Sequence, residues 1–178
     1  PPLTERSPLP GATGPLEGLR VVEVTNNWAG PLAGRRLADL GADVVKVEWA
    51  SRPATRALFW AGPHQDREPN GHERSLYFHE LNRNKRDVVV DLSHPDGKAI
   101  FLRLIADADV FIENMSARVM PNLGLDWANL QQVNPRLVMV SMSGYGATGP
   151  DRDWVAYDSN IETTSGLTSV TGYHDGTL

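Results

Sequence analysis

The chain has 178 residues, a formal net charge of -5 and a pI near 5.5. Its length suits one domain that buries roughly 70% of its extended-chain surface, so no disulfide or metal staple is needed for folding. The absence of cysteine excludes a disulfide scaffold, a thiolate zinc site and a cysteine nucleophile, and it fits a reducing, cytoplasmic compartment. The acidic balance argues against a nucleic-acid partner. The apolar runs are about five residues long, far short of the ~20 that span a bilayer, so no membrane partner is expected. No charged-then-apolar signal segment opens the chain. Its first residue is Pro rather than Met, so a portion of something longer is expected.

Residues Pro1 to Pro15 hold five prolines and two glycines without periodicity, which predicts a Pro/Gly-rich arm (1–15) ahead of one domain (16–178). Leu19 to Val24 is predicted as a strand. Pro31 to Leu40 is predicted as a helix, with Pro in its first turn and Gly41 at its stop. Asp43 to Glu48 is the second strand. Trp49 to Arg74, with three prolines and two glycines, is a long loop of the kind that is usually functional or mobile. Ser75 to Leu81 reads as a short helix and Asp87 to Leu92 as the third strand. A helix then opens at Ser93-His94-Pro95-Asp96, with Ser93 as its cap, Asp96 on the positive end of its dipole, and Ile100, Phe101, Leu104, Ile105 and Ala108 on one face. Val110 to Ile112 is the fourth strand, Trp127 to Val133 a helix capped by Asp126, Leu137 to Met142 the fifth strand, and Tyr157 to Ser165 a last helix. Short β-branched strands alternating with helices mark a parallel sheet covered on both sides. The fold expected is α/β, a Rossmann-like doubly wound, mainly parallel sheet, with ligands at the strand carboxyl ends.

The turn "TNNWAGP" follows the first strand. It sets backbone N–H groups and a helix N-terminus at the strand's carboxyl end, which suits a phosphate and equally describes a plain βα turn. Gly30 and Gly34 are four apart, so neither G-x-G-x-x-G nor the P-loop pattern is present. Glu48-Trp49 ends the second strand where dinucleotide sites carry a ribose-binding acid, but the missing glycine fingerprint disfavours NAD. "NRNKR" (Asn82 to Arg86) reads as a solvated turn more than as a lure for phosphates. The five histidines show no metal-ligand spacing, so no metal is expected. Ser141-Met142-Ser143-Gly144 lacks the nucleophile elbow of a serine hydrolase. Among the tryptophans, Trp127 reads as helix packing, while Trp28 and Trp49, at strand ends, are ligand candidates.

Five segments in order carry a resemblance: "LEGLRVVEVT", "AGPLAGRRLADLGADVVKVE", "NRNKRDVVVDLSHPDGKAIFLRLIADADVFIENM", "NLGLDWANLQQVNPRLVMVSMSGYGATGP" and "YDSNIETTSGLTSVTG". Together the chain from Leu16 onward resembles the class III CoA-transferases (CaiB/BaiF type), a family that includes formyl-CoA transferase and carnitine CoA-transferase, with α-methylacyl-CoA racemase as a sister branch. The resemblance implies the N-terminal, incomplete part of a Rossmann-like large domain that binds coenzyme A, in a full-length chain that forms an interlocked homodimer. The substrates implied are an acyl-CoA thioester and a carboxylic acid acceptor, with no further cofactor. It places the CoA contacts at Trp28 and Ala29, at Trp49, at Val90, Asp91, Leu92 and Ser93, and at Asn114, Met115 and Ser116, with Tyr157 and Asp158 near the thioester.

This sequence departs from its relatives at several points. Trp49 stands where relatives often carry Arg, and can stack on adenine but cannot supply charge. "ENMSARVMPNLG" replaces "ENFRPG…RLG", so Met115 stands for Phe and Asn122 for a late Arg, which leaves Arg118 to offer a phosphate charge from a shifted position. The family chemistry is attack of a carboxylate on the thioester to form a mixed anhydride, return of CoA to form an enzyme thioester, and displacement by the acceptor through a second anhydride, with backbone N–H groups on the oxyanions. The nucleophilic Asp of relatives lies beyond "TGxxDGxP", hence past Leu178, so this portion alone is expected to be inactive. Asp158 is the acid at an aligned active-site position, and a first-turn helix acid by pattern. Racemases carry His before that acid and this chain carries Tyr157, which favours transfer over epimerisation. A non-catalytic CoA-binding or assembly module is the other alternative.

Overall fold

Valine crowds the runs RVVEV and DVVKVE, and its branched Cβ suits a pleated, covered surface. In the computed structural model, which describes residues 13–49 and 75–172, these runs are β1 (Arg20–Val24) and β2 (Asp43–Glu48). The other strands are β3 (Arg86–Val89), β4 (Val110–Glu113) and β5 (Val138–Ser141). The helices are α1 (Ala29–Asp39), α2 (Leu76–Asn82), α3 (Pro95–Ala106), α4 (Val119–Asn122), α5 (Trp127–Val133) and α6 (Asp158–Thr164), with a 3₁₀ turn at Leu167–Val170. All neighbouring strands pair in parallel, in the order β3-β2-β1-β4-β5. The chain starts at the sheet's centre, runs out to β3 and returns to the other flank of β1. The reversal between β1 and β4 opens a crevice at their carboxyl ends.

The two faces of the sheet are packed differently. Val22, Val24, Val47, Phe101, Ile105, Phe111, Leu125 and Leu130 form the larger buried cluster, under α3 and α5. Phe101 and Phe111 meet edge to face, with centroids 5.5 Å apart, a favoured aromatic geometry. Val21, Ala38, Ala42, Val44 and Ile112 form the smaller one, under α1. Alternation along β1 and β2 therefore turns Glu23 and Lys46 toward α1 as well, and both are buried.

Local chemistry explains the element ends. Gly41 takes a φ of +97° beyond α1, where a residue with a Cβ is strained. Asp126 accepts the Asn129 N–H at 3.1 Å to cap α5, and Ser75 caps α2 through the Phe78 N–H. Ser93 does not cap α3. His94 does, its Nδ1 accepting from the Asp96 N–H at 3.3 Å, because Ser93 is held in a turn by Asp91. That turn also ends β3 at Val89, three residues before the expected Leu92. Helix α1 starts two residues before Pro31, and the short α4 was not predicted. Residues 1–12 of the expected arm, 50–74 of the long loop (with Trp60, His64 and His72) and 173–178 lie outside the described residues.

Candidate functional site

Thr25 to Ala29 joins β1 to α1 at the crevice. Trp28 is the N-cap residue of α1 and is 60% exposed, and Ala29, the first helical residue, is also exposed. Directly across the reversal point, the Asn114 side chain grips this turn twice. Its Oδ1 accepts the Asn26 N–H at 2.7 Å, and its Nδ2 donates to the Asn26 carbonyl at 2.7 Å. Helix α1 sits so close that a Cβ on Gly30 would lie 2.8 Å from both Asn114 Cγ and Thr25 Cβ. Asn114 therefore serves as a strut between the two turns, and its amide is already committed to backbone.

The next residue is held from below. Glu113, at the end of β4, is buried and accepts the Met115 N–H at 2.9 Å. Burial raises its carboxyl above the ordinary range, while hydrogen bonds from Ser141 and Met115 oppose the shift. The Met115 sulfur accepts from Asn26 Nδ2 at 3.4 Å. The Ser116 carbonyl accepts the Val119 N–H, and Arg118, exposed, stands at the N-cap position of α4. Thus Trp28, Ala29, Asn114, Met115, Ser116 and Arg118 line two adjacent turns.

A second pair of turns follows β2 and β3. Val90 and Leu92 are buried, so they present backbone rather than side chains. Asp91 and Ser93 are exposed. The Asp91 carboxyl is held below its usual range, first by the Ser93 hydroxyl and N–H and further by hydrogen bonds from Trp49 and from the His94 backbone. Trp49, partly buried, packs against the large core while bonding Asp91. A Cβ on Gly97 would fall 2.0 Å from the Asp91 carbonyl oxygen, so α3 butts against this turn. With β3, β2, β1 and β4 adjacent in that order, all these turns occupy one rim of the sheet.

Asp158 is the first residue of α6 and accepts the Ser159 N–H at 2.8 Å. Tyr157 precedes it as the N-cap residue, 58% exposed. Tyr77 on α2 connects this acid to the rim. Its ring meets Trp28 edge to face at 5.7 Å, and burial together with the nearby Asp158 charge pushes its phenol up. No periodicity or motif marked Tyr77, because its value lies in the meeting of three segments distant in sequence.

The run "NRNKR" is corrected in part. Arg83 and Arg86 do sit at the surface, paired with Asp39 at 3.0 Å and Asp43 at 2.6 Å. The Lys85 side chain, however, is 1% exposed and bonds Glu23 at 2.8 Å. The signal available in sequence was the placement of Glu23 and Lys46 at inward positions of valine-rich strands. Among the described residues no group of three or more His, Asp, Glu or Cys side chains is placed to hold a metal ion, and no helix is long and apolar enough to cross a membrane. A cleft of about 520 Å³ lies elsewhere, at edge strand β5, lined by Trp127, Leu137, Val138, Met139 and Ser141. It holds none of the candidate residues, and Trp127, read as helix packing, is 44% exposed on its wall.

Parallel strands whose order reverses between β1 and β4, with backbone-rich turns on one rim, define a Rossmann-like α/β protein. The chain belongs to CoA-transferase family III, whose family model matches residues 16–177. It is 41% identical over 169 residues to a succinate–glutarate CoA-transferase of Agrobacterium fabrum, an alignment covering 94% of this chain and 42% of that protein. It is 40% identical over 161 residues to a formyl-CoA:oxalate CoA-transferase of Afipia carboxidovorans, covering 90% and 36%. The crystal structure of a CAIB/BAIF family protein from Brucella suis superposes with a TM-score of 0.79 at 38% identity, covering 92% of this chain and 42% of that one. The chain thus spans about two fifths of the length of these relatives.

Proposed function

We propose that this chain forms the coenzyme A cradle of an enzyme that moves CoA between an acyl-CoA thioester and a carboxylic acid. The observation that carries this reading is the Asn26–Asn114 clasp, which joins the β1 and β4 turns into one backbone-lined edge at the strand reversal. The adenosine-phosphate end of the ligand lies along Trp28, Ala29 and the Asn114–Ser116 turn. Trp49 and the Val90–Ser93 stretch flank the adenine, and Arg118 supplies a phosphate contact. Tyr157 and Asp158 lie toward the thioester.

Relatives named for succinate–glutarate and formyl-CoA:oxalate exchange support transfer between two acids over epimerisation. In this reading Asp158 assists, and the attacking carboxylate belongs to sequence past Leu178. The whole protein is a cytoplasmic homodimer, a reading supported by the resemblance and by the exposed Val155, Leu167 and Val170 near α6. Titration calorimetry with acetyl-CoA tests the cradle. Saturable one-site binding is expected, weakened about tenfold by Asn114→Ala. Absence of any binding heat and of any shift in thermal midpoint with excess acetyl-CoA overturns the reading.

A further inference from the structure

Beneath the β1–α1 turn lies a buried charge cluster that the proposed contacts do not use. Glu23 and Lys46 are register partners on adjacent strands, and both are at most 1% exposed. Glu23 Oε1 accepts from Thr25 Oγ1 at 3.0 Å and from Lys85 Nζ at 2.8 Å, with Lys46 Nζ at 3.5 Å. The lysines reach past this carboxylate to the backbone of the turn itself. Lys46 Nζ donates to the Thr25 carbonyl at 2.8 Å, and Lys85 Nζ to the Pro31 carbonyl at 2.8 Å, in the first turn of α1. Asn82 Oδ1 takes a further Lys85 hydrogen at 3.0 Å. Helix α1 leaves room for the cluster at Gly34, where a Cβ would sit 1.7 Å from Glu23 Oε2. That oxygen has no hydrogen-bond partner among the described residues.

Glu23 is the one buried carboxylate that faces both ammonium groups, and Asp87, the register partner of Lys46 on β3, adds a second negative charge at the exposed edge of the cluster. Burying Glu23 and two lysines is costly, and replacement by hydrocarbon is often more stable, so stability alone does not account for the arrangement. A buried charge next to a helix N-terminus acts through weakly screened protein rather than through water, and it adds to the field that already favours an anion there. We propose that Lys46 and Lys85 are positioning residues for the phosphate groups of the CoA ligand, bracing the β1–α1 turn from beneath and holding two buried ammonium groups behind it. The inference rests on the cradle reading given above.

Lys85 gives the proposal a readout that a scaffold lysine lacks. Desolvation, its largest influence, lowers its pKa to about 8, against the attraction of Glu23; Lys46 lowers it further and Asp87 raises it. The groups facing it are Glu23 on β1, Lys46 on β2 and Asp87 on β3. From α1 and α2 it meets the Pro31 carbonyl and Asn82, since Arg35 and Glu80 pair with each other. Deprotonation near pH 8 removes one of the two buried positive charges and weakens anion binding. Stability moves the other way. The folded pKa lies below the ordinary 10.5, so between about 8 and 10.5 the unfolded chain binds the extra proton and this group's contribution favours the folded state as pH rises. Affinity lost above pH 8 through Lys85 is therefore not lost through unfolding.

The test is calorimetric titration of the protein with acetyl-CoA, which has no free thiol to ionise, at pH 7, 8 and 9, with wild type, Lys85→Met and Lys46→Met compared and urea midpoints taken at each pH. Wild-type affinity is expected to fall roughly tenfold from pH 7 to 9, and Lys85→Met to bind roughly tenfold more weakly at pH 7 with a flat profile. Lys46→Met is expected to bind more weakly while keeping the slope. Should Lys85→Met fail to fold, the wild-type profile decides, and a flat one overturns the proposal. Wild-type binding with equal affinity and slope in a folded Lys85→Met also overturns it and leaves the cradle intact. No wild-type binding at pH 7 removes both.

Discussion

On the α3 and α5 side of the sheet, Val22, Val24, Phe101, Ile105, Phe111 and Leu130 meet as hydrocarbon, whereas on the α1 side Val21, Val44 and Ala38 share their layer with Glu23, Lys46 and Lys85. Strands β1, β2 and β4 supply both. The first side gains from water excluded and from close dispersion contact. The second gives up part of that gain to hold charge and polar bonds under the turn where a ligand is proposed to sit. Under the proposed reading, the difference assigns stability and recognition to opposite faces of one sheet, so the two should separate under mutation.

The largest effect is expected from Phe101→Ala. Truncating a fully buried ring that meets Phe111 edge to face costs about 3–5 kcal/mol, read from urea unfolding. A loss under about 1 kcal/mol would break the comparison by showing that the hydrocarbon face is not where stability resides. Gly34→Ala comes next. Its methyl would have to displace the Glu23 carboxylate from 1.7 Å, a cost of about 1–3 kcal/mol in overpacking, and acetyl-CoA binding should weaken with it. An unchanged unfolding midpoint would show that the carboxylate has somewhere else to go.

Asn114→Ala removes both bonds to Asn26 and strands a backbone N–H and carbonyl, for about 1–2 kcal/mol. Its mark is a loss of acetyl-CoA affinity that exceeds what Phe101→Ala shows at matched temperature. Equal losses would erase the division between the faces. The smallest effect is the pH response of Glu113. Its folded pKa is raised above the ordinary 4.5, so the folded state holds the proton more tightly. The contribution is fully present below 4.5 and is lost as pH rises through the folded value. Glu113→Gln keeps an acceptor for the Met115 N–H and lacks this titration. The wild-type-minus-variant difference in urea midpoint should therefore decline from pH 4.5 to 7, and a constant difference would sink the assignment.

Much of the fold was legible because period-2 and period-3.6 patterns report burial directly. All five strands and the helices at 95–106 and 127–133 fall close to where apolar residues and caps predict them. The end of β3 was misjudged because Val90 and Leu92 remain buried after the ladder stops, so composition did not register the change in backbone pairing. Ser93 looked like a cap, but Asp91 two residues before competes for it. For the candidate site, resemblance nominated the turns, and the structure sets them on one rim of the sheet. It did not show that Asn114 spends its amide on Asn26, that Tyr77 stands between Trp28 and Asp158, or that Lys85 turns inward from a basic run. Each depends on contacts between residues tens of positions apart, which no local pattern encodes.

Glu23 and Lys46 stand opposite each other across β1 and β2, and that pairing bears on how the sheet assembles. Sliding one strand past the other by a single residue would turn Glu23 toward Phe111 and its neighbours, a charge with no counterion in oil. Sliding by two would restore the face but separate the partners by about 7 Å. Valines alone tolerate either error, since any valine stacks on any other. The acid and the base therefore proofread the alignment, and a chain that carried hydrocarbon at both positions would be expected to collapse readily and to thread its central strands less faithfully.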